Sequence, residues 1–257
     1  MGERHRRPEH WLDADWEAKA RENPLLAIMT TPEMSDAPPS EFSADQLDEF
    51  FARGRKLFDA HLRPLLEGLD PRGPVIEYGC GAGRIMRAVI DSGHPSSGID
   101  ISPTMLGHCR ALLPDAHALY VLDESGRCDA PSSQAVLVYS YSVLQHIASF
   151  DSYITALDEM CRVLAPGGEL AIQLNCEDFK IGPDAGYRTE NLETYSLHYR
   201  PGKDGPYKRK EQDHWSGVYI GYDLLVRLLA ERGVAVRRWY YHNPQKPRAI
   251  WVIGRKS

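Results

Sequence analysis

The feature that most constrains the fold of this chain is a short apolar stretch that runs into three glycines on alternate positions. Residues 75–76 are apolar, an acidic residue follows, and then come Gly79, Gly81 and Gly83. Glycine suits a loop that must take left-handed backbone angles or let a ligand touch the backbone. The start of the next helix offers unpaired N–H groups to such a ligand. The pattern predicts a strand, a ligand-binding loop and a helix over residues 84–91.

A second acidic residue, Asp100, lies at the tip of a short predicted strand, seventeen residues after Gly83. Ser102 is the predicted N-cap of the following helix and Pro103 its predicted first residue. In nucleotide-binding α/β folds, an acid at the end of the second strand accepts hydrogen bonds from ribose hydroxyls. Asp100 is therefore predicted to bind a ribose. The alternative is that it only ends a strand.

These motifs resemble those of the class I S-adenosylmethionine-dependent methyltransferases over about residues 45–175. Four blocks carry the resemblance in the family's order: the E-x-G-x-G-x-G loop at 77–83, the stretch G-I-D-I-S-P-T-M-L at 98–106, and segments at 138–147 and 161–170. The resemblance implies S-adenosyl-L-methionine as cofactor. It also implies transfer of a methyl group to an O, N, S or C nucleophile of a small molecule.

The resemblance further indicates which residues bind the cofactor. Glu77 and the glycine loop would hold the methionine end, Asp100 the ribose, and Ile101 and Met105 the adenine. One residue of the segment 123–125 would contact the adenine amino group. This segment departs from the commoner family pattern, so a plain turn remains an alternative there. The complete predicted set is Glu77, Gly79, Cys80, Gly81, Gly83, Arg84, Asp100, Ile101, Met105, Asp123, Glu124, Ser125 and Ser140.

Three other functions remain as alternatives. A dinucleotide loop follows the pattern G-x-G-x-x-G, and counting from Gly79 its third glycine position holds Arg84, so NAD fits poorly. The same cofactor could instead donate its aminocarboxypropyl group or cyclise, in which case methylthioadenosine is released. A non-catalytic binding protein is the third alternative, and the intact glycines disfavour it.

Composition limits the partners. The 257 residues include 30 basic and 36 acidic side chains, with a formal charge of -6, so nucleic acid is a disfavoured partner. The five cysteines lack the spacing of a metal or disulfide framework, and no metal is expected. No signal peptide or membrane span is apparent, which predicts a cytoplasmic protein without a membrane partner. A monomer and a homodimer are both compatible with these properties.

Two domains are predicted. Residues 1–44 form a helical extension and linker, in which Trp11, Trp16 and Ala20 recur at helical spacing. This extension either packs on the outside of the protein or forms a lid over the active site. Residues 45–257 form the cofactor-binding domain. A capping box at Ser43 precedes its first helix, which Pro64 is expected to kink.

The predicted fold is α/β, a single doubly wound, mostly parallel, seven-stranded Rossmann-like sheet with helices on both faces. Five strands precede a long insertion and two follow it. They are expected near residues 75–78, 98–100, 118–122, 135–139, 169–174, 234–241 and 249–253. A sharp turn at Pro166-Gly167-Gly168 should lead into the fifth strand, and Gly233 should end the last helix as its C-cap.

The insertion at 175–217 is predicted to be an irregular cover on the substrate side. It is rich in aromatic and basic residues, which favours an acceptor that carries a carboxylate or phosphate. A solvated surface loop is the alternative. For a general base, the chain offers His146, His198, His214 and Tyr199. His146 has a second interpretation, in which it holds a loop by hydrogen bonds.

Overall fold

The structure, a computed structural model, describes residues 16–18, 20–21, 43–147, 149–175, 195–201, 214–220, 222–243 and 249–257. Side chains at 175, 195–201, 214–219 and 223 lie outside this description. The chain divides into two compact units, Met1–Ala130 and Pro131–Ser257.

The long helix of the first unit begins and breaks where the sequence predicts. Helix α1 spans Ala44–Leu57, and the Ser43 hydroxyl and the Gln46 side chain exchange the two hydrogen bonds of a capping box. A π-helical segment, Phe58–Leu62, separates α1 from helix α2, Arg63–Leu66. Because Pro64 lacks an N–H and its ring clashes with the carbonyl four residues earlier, the α-helical pattern fails in this segment.

Three strands and two helices follow among the described residues of the first unit: β1 Val75–Tyr78, α3 Met86–Asp91, β2 Ser96–Asp100, α4 Pro103–Leu112 and β3 Ala118–Val121. The strands pair in parallel in the order β3-β2-β1. Ser102 caps α4 as predicted, because its hydroxyl accepts a hydrogen bond from the Met105 N–H. Helix α3 begins two residues later than predicted, since the glycine loop continues in turns up to Ile85.

The described residues of the second unit form six strands, two α-helices and a short 3₁₀-helix: β4 Ala135–Ser140, the 3₁₀-helix Leu144–His146, α5 Phe150–Val163, β5 Leu164–Asn175, β6 Tyr195–Pro201, β7 His214–Ile220, α6 Tyr222–Glu231, β8 Val234–Tyr241 and β9 Ala249–Lys256. Strands β4 and β5 are parallel, and β9 runs antiparallel to both β5 and β8. Gly233 follows α6 with φ 74°, the C-cap conformation that the sequence predicts.

One sheet has seven strands in the order β3-β2-β1-β4-β5-β9-β8. The chain therefore moves outward from β1 to β3, and its next strand stands on the other side of β1. This order and the mostly parallel pairing confirm the predicted doubly wound Rossmann-like sheet. The remaining strands, β6 and β7, form a separate antiparallel ribbon.

Two local predictions in the second unit need correction. The predicted turn at 166–168 lies inside β5, which already begins at Leu164. The pairing with β4 shifts register there, from Ala135 opposite Leu164 to Leu137 opposite Glu169, so the extra residues bulge out of the ladder instead of ending it. The insertion was expected to be irregular, yet its described parts form the β6-β7 ribbon. Residues 176–194 and 202–213 lie outside the described residues.

Two glycines let helices pack directly against the glycine loop of the first unit. Gly83 has φ 83°, and a Cβ atom there would lie 2.4 Å from Leu113 Cδ1 and 2.9 Å from Cys109 Sγ. On α1, a Cβ atom at Gly54 would lie 1.9 Å from the carbonyl oxygen of Arg84. The third glycine of the loop is therefore required by the packing of α4 as well as by its backbone angle.

Replacing Gly83 by alanine should destabilise the fold through two separable costs. A non-glycine residue at positive φ costs about 1–2 kcal/mol, and overpacking against Leu113 costs about 1–3 kcal/mol more. Gly93→Ala is the matched control, since Gly93 has φ 87° and nothing within 4 Å of its Cβ position. Urea denaturation followed by circular dichroism should show the larger loss of unfolding free energy for Gly83→Ala. Equal losses in the two variants would contradict the packing argument.

Candidate functional site

The glycine loop follows β1 and has a fixed backbone shape. Gly79, Gly81 and Gly83 have φ of 76°, 54° and 83°, all in the left-handed region that side chains disfavour. The N–H groups of Gly79 and Cys80 both donate to the carbonyl oxygen of Ile99, at 2.8 and 3.1 Å, and so tie the loop to β2. All three glycines singled out in the sequence thus occupy positions that require glycine.

The predicted ribose-binding acid lies directly against this loop. Asp100 Oδ2 accepts a hydrogen bond from the Gly81 N–H at 2.8 Å, and Oδ1 accepts one from the Ser102 N–H at 3.0 Å. Burial raises the pKa of the Asp100 carboxyl, while backbone hydrogen bonds from Ser102, Gly81 and Ile101 act in the opposite direction. A carboxylate offers about four acceptor sites, so capacity remains for hydroxyl groups of a ligand.

A short helical piece of the predicted N-terminal extension contacts the start of α4 beside Asp100, through a side chain, Glu17, that the sequence analysis did not single out. Residues 16–18 and 20–21 are helical. The Glu17 carboxylate accepts hydrogen bonds from the Ser102 hydroxyl at 2.6 Å and from both the hydroxyl and the N–H of Thr104. It thereby caps the start of α4, where a negative charge is favourable.

Apolar packing supports the same contact. Ala20 is fully buried and belongs to one cluster with Phe50 of α1, Ala82 of the glycine loop and Met105 of α4. Ala20 therefore contacts both the loop and the helix that follows Asp100, and Glu17 contacts the start of that helix. The only sequence indication was the apolar spacing of Trp11, Trp16 and Ala20, of which Trp11 lies outside the described residues.

The protonation state of Glu17 follows from its hydrogen-bond partners. Burial acts to raise the pKa of this carboxyl, but the hydrogen bonds from Ser102, Thr104 and Arg21 outweigh it and lower the pKa below the ordinary 4.5. The carboxylate is therefore ionised at neutral pH. Its negative charge also contributes to the raised pKa of Asp100.

Other predicted cofactor residues occupy the surroundings of the loop. Glu77 on β1 and Met105 on α4 are buried, whereas Arg84 and Ile101 are half-buried. Cys80 is buried, and a hydrogen bond with Cys109, together with burial, raises the pKa of its thiol well above the usual value. The thiol is therefore neutral and packed in the core.

The segment after β3 has the geometry of the turn that was the alternative there. Asp123 Oδ1 accepts hydrogen bonds from the Ser125 N–H and hydroxyl, at 2.8 and 2.7 Å, and from the Arg127 N–H at 3.1 Å. Asp123, Glu124 and Ser125 are all exposed. Contact with the adenine stays a prediction for these three residues.

In the second unit, the end of β4 carries a strained residue. Ser140 is fully buried, Tyr141 follows it, and Ser142 has φ 61°, which is uncommon for a residue other than glycine. Two buried glutamines hold this conformation: the Ser142 N–H donates to Gln173 Oε1 at 2.8 Å, and Gln145 Nε2 donates to the Ser142 hydroxyl at 2.7 Å. Such outliers cluster at functional sites.

Tyr141 also belongs to an aromatic cluster that the sequence did not reveal. Its ring stacks on Trp251 with centroids 5.8 Å apart, and it lies 5.5 Å from the ring of His242. Trp251 Nε1 donates to His242 Nδ1 at 3.1 Å, and Tyr141 Oη lies 3.5 Å from His242 Nε2. The three residues come from distant positions, so no local motif marks them.

The predicted general bases are placed by the structure only in part. His146 is half-buried at the end of the 3₁₀-helix, where its N–H donates to the Val143 carbonyl at 2.8 Å. In the β6-β7 ribbon, His198 stands opposite Gly217 and Tyr199 is its neighbour, while His214 begins β7. The side chains of these three ribbon residues lie outside the described residues, so a role as base stays a prediction.

Within the described part of the chain, no group of three or more His, Cys, Asp or Glu side chains could hold a metal ion. The same part contains no helix that is long and apolar enough to cross a membrane.

Comparison with known proteins agrees with this geometry. A family model described as "Methyltransferase domain" matches residues 76–172. A trans-aconitate 2-methyltransferase from Rhizobium meliloti (strain 1021) is 29% identical over 217 residues, which cover 79% of this chain and 77% of that protein. Together, the matches support a class I S-adenosylmethionine-dependent methyltransferase.

Solved structures share the fold of this methyltransferase. A TehB-like SAM-dependent methyltransferase from Corynebacterium glutamicum matches with a TM-score of 0.52 and 17% identity, covering 84% of this chain and 100% of the other. A glycopeptide N-methyltransferase complexed with S-adenosyl-L-methionine matches with a TM-score of 0.53 and 14% identity, covering 80% and 87%. S-adenosyl-L-methionine is the cofactor of this methyltransferase.

The residues of the first unit fit that cofactor. The loop at 79–83 presents backbone without side chains at its three glycines, and the Asp100 carboxylate beside Gly81 retains acceptor capacity. That these residues bind the methionine chain and the ribose stays a prediction.

Removing the Glu17 carboxylate should release the N-terminal helical piece from the start of α4. In Glu17→Ala, the loss of hydrogen bonds to a charged group, about 1.5–3 kcal/mol, should make amide hydrogen exchange across residues 16–21 faster by about 10- to 100-fold. Exchange followed by mass spectrometry measures this directly.

Glu49→Ala is the control for this variant, since Glu49 lies on α1 in an exposed ion pair with Arg53. It should leave exchange at residues 16–21 unchanged. Because the folded-state pKa of Glu17 lies below 4.5, the contact should be fully stabilising above that pH and weaken as the pH falls through the lowered pKa. Equal exchange in Glu17→Ala and the unmodified protein would show that the carboxylate does not hold this piece.

Proposed function

We propose that this enzyme transfers the methyl group of S-adenosyl-L-methionine to a small-molecule acceptor that carries a carboxylate. The observation that carries the proposal is the hydrogen bond between the Gly81 N–H and Asp100, since it joins the side-chain-free loop to the acid predicted to bind the ribose. The acceptor class is supported by the similarity to trans-aconitate 2-methyltransferase, whose acceptor is a carboxylic acid.

The cofactor is assigned to the first unit. Glu77 and the glycine loop would hold its methionine end, Asp100 its ribose, and Ile101 and Met105 would flank its adenine. When bound, the cofactor supplies a methyl group activated by its sulfonium sulfur, and the S–C electron pair stays with sulfur as the acceptor bonds to the methyl carbon. The protein's contribution is to bind the cofactor and the acceptor, to align the acceptor with the methyl group, and to exclude water.

We further propose that the N-terminal helical piece covers the bound cofactor. Its contacts with Ala82 and Met105 support this, because Ala82 lies between two loop glycines assigned to the cofactor and Met105 is itself assigned to the adenine. Glu17 would then link the cover to the helix that starts beside Asp100. Of the two roles predicted for residues 1–44, these contacts favour the lid.

A carboxylate acceptor changes the requirement for a general base. A carboxyl group has an ordinary pKa near 4 and is already ionised at neutral pH. Its oxygen can attack without losing a proton, so His146, His198, His214 and Tyr199 would serve binding and orientation instead of proton transfer. An alcohol acceptor, in contrast, would need one of them as base.

The reaction is tested by its products. The protein should be incubated with methyl-labelled S-adenosyl-L-methionine and a panel of small carboxylic acids that includes trans-aconitate. We expect S-adenosylhomocysteine and a labelled methyl ester in equal amounts, measured by mass spectrometry. Methylthioadenosine as the main product would contradict methyl transfer and support the alternative aminocarboxypropyl or cyclisation chemistry.

The cofactor site is tested at Asp100. Asp100→Ala should weaken binding of S-adenosylhomocysteine by about 10- to 100-fold, the scale of losing hydrogen bonds to a charged group. Isothermal titration calorimetry measures this, with circular dichroism to show that the variant is folded. Asp115→Ala, a change of the same kind at an exposed aspartate just after α4, should bind normally. Unchanged affinity in Asp100→Ala would place the ribose elsewhere.

A further inference from the structure

The aromatic cluster of Tyr141, His242 and Trp251 has a defined hydrogen-bond direction. The indole N–H of Trp251 can only donate, so His242 Nδ1 must accept and carries no hydrogen. The neutral imidazole therefore has its hydrogen on Nε2, which faces Tyr141 Oη at 3.5 Å. His242 is thus a donor towards Tyr141, and the tyrosine's own hydroxyl hydrogen is not used in this contact.

The surroundings keep His242 in this neutral form. Burial lowers the pKa of its imidazole below the ordinary 6.5. Trp251 is fully buried on β9, and Tyr141 stacks on it at an interplanar angle of 24°. Because Nε2 carries the hydrogen in the neutral ring, His242 has no lone pair there with which to take a proton from a substrate.

The backbone conformation beside Tyr141 is held by hydrogen bonds. Ser142, with φ 61°, is held by Gln173 and Gln145, which are 4% and 6% exposed. Gln145 Oε1 is buried and has no hydrogen-bond partner among the described residues. A buried acceptor in this state has capacity for one donor, such as a water molecule or an N–H or O–H group. The loop follows the carboxyl end of β4, the end of a strand at which open α/β sheets bind ligands.

We propose that Tyr141, positioned by His242 and Trp251, donates a hydrogen bond to a carboxylate oxygen of the methyl acceptor and so selects acceptors of this class. This inference rests on the proposed function and names the group that recognises its substrate. Tyr141 is the residue in contact with the acceptor, whereas His242 and Trp251 are positioning residues.

A neutral donor suits this reaction. Transfer of a methyl cation to a carboxylate removes the negative charge of that group as the transition state forms. A fully charged partner would therefore stabilise the free carboxylate more than the transition state and slow the reaction. A tyrosine hydroxyl orients the carboxylate oxygen through a neutral hydrogen bond, which stabilises its negative charge less than a cation would.

Tyr141→Phe tests the proposal because it removes the hydroxyl and keeps the stacked ring. With the acceptor found in the product assay, kcat/KM should fall by about 10- to 100-fold, while the affinity for S-adenosylhomocysteine stays unchanged. Tyr153→Phe is the matched control: it removes a buried hydroxyl from α5 that has no partner among the described residues, and it should leave kcat/KM unchanged.

Binding provides a second measurement that does not need turnover. Calorimetry with S-adenosylhomocysteine present should show that the unmodified protein binds at least one of succinate, tricarballylate and benzoate more tightly than the matching amide, and that Tyr141→Phe loses this preference. Failure of all three carboxylates to bind would overturn the proposal. Methyl transfer to an acceptor without a carboxylate, at an equal rate in Tyr141→Phe, would overturn it while leaving the proposed methyltransferase function intact.

The role of His242 is tested by a conservative replacement. His242→Gln retains an N–H donor and should keep most of the activity, whereas His242→Ala should resemble Tyr141→Phe. Nitrogen-15 NMR of the imidazole should show the neutral form with hydrogen on Nε2 at pH 7. A neutral ring with hydrogen on Nδ1, or equal loss of activity in both variants, would contradict the positioning role.

Discussion

The hydrogen bond from the Gly81 N–H to Asp100 is the contact on which the first unit depends. A carboxylate half-buried beside a loop without side chains is unfavourable unless donors surround it. Gly81 and Ser102 supply backbone N–H groups to its two oxygens, and both donors are present only because the loop and the start of α4 have their observed backbone angles. The Asp100 carboxylate therefore holds the loop in its conformation, and the loop holds the carboxylate in position. A ligand would bind to a preformed site.

The close packing around the glycine loop also fixes its backbone shape. Gly83 has no room for a side chain because α4 lies against it, and Gly54 has none because α1 lies against Arg84. Ala20 completes the enclosure from the N-terminal side. Loops without side chains are usually the most flexible parts of a chain. Here three neighbouring helical segments hold the loop, so that its glycines provide space for a ligand without allowing free motion.

The sequence predicted what is determined locally. The capping box at Ser43, the N-cap at Ser102 and the C-cap at Gly233 depend on a few adjacent residues, and the seven-stranded sheet follows from apolar periodicity along the chain. The contact of Glu17 with Ser102 joins residues 85 positions apart, and that of Tyr141 with His242 joins residues 101 positions apart. No spacing pattern in a single sequence marks such pairs, so both had to come from the structure. The bulge in β5 was missed for a different reason: Pro166-Gly167-Gly168 fits a turn between elements as well as an irregularity within one strand.

The two units differ in electrostatic character, and the proposed reaction gives a reason for the difference. The first unit has two carboxylates, Glu17 and Asp100, surrounded by N–H and hydroxyl donors beside the proposed site of a cationic cofactor. The second unit ends β4 with neutral groups, a tyrosine hydroxyl and an imidazole that an indole keeps in one tautomer. A sulfonium cation and a carboxylate both lose their charge when the methyl group moves. Strong counter-charges on the acceptor would hold the reactants more tightly than the transition state, whereas neutral donors fix geometry alone. Recognition through charge is therefore best kept away from the reacting oxygen, and the hydroxyl of Tyr141 meets that condition.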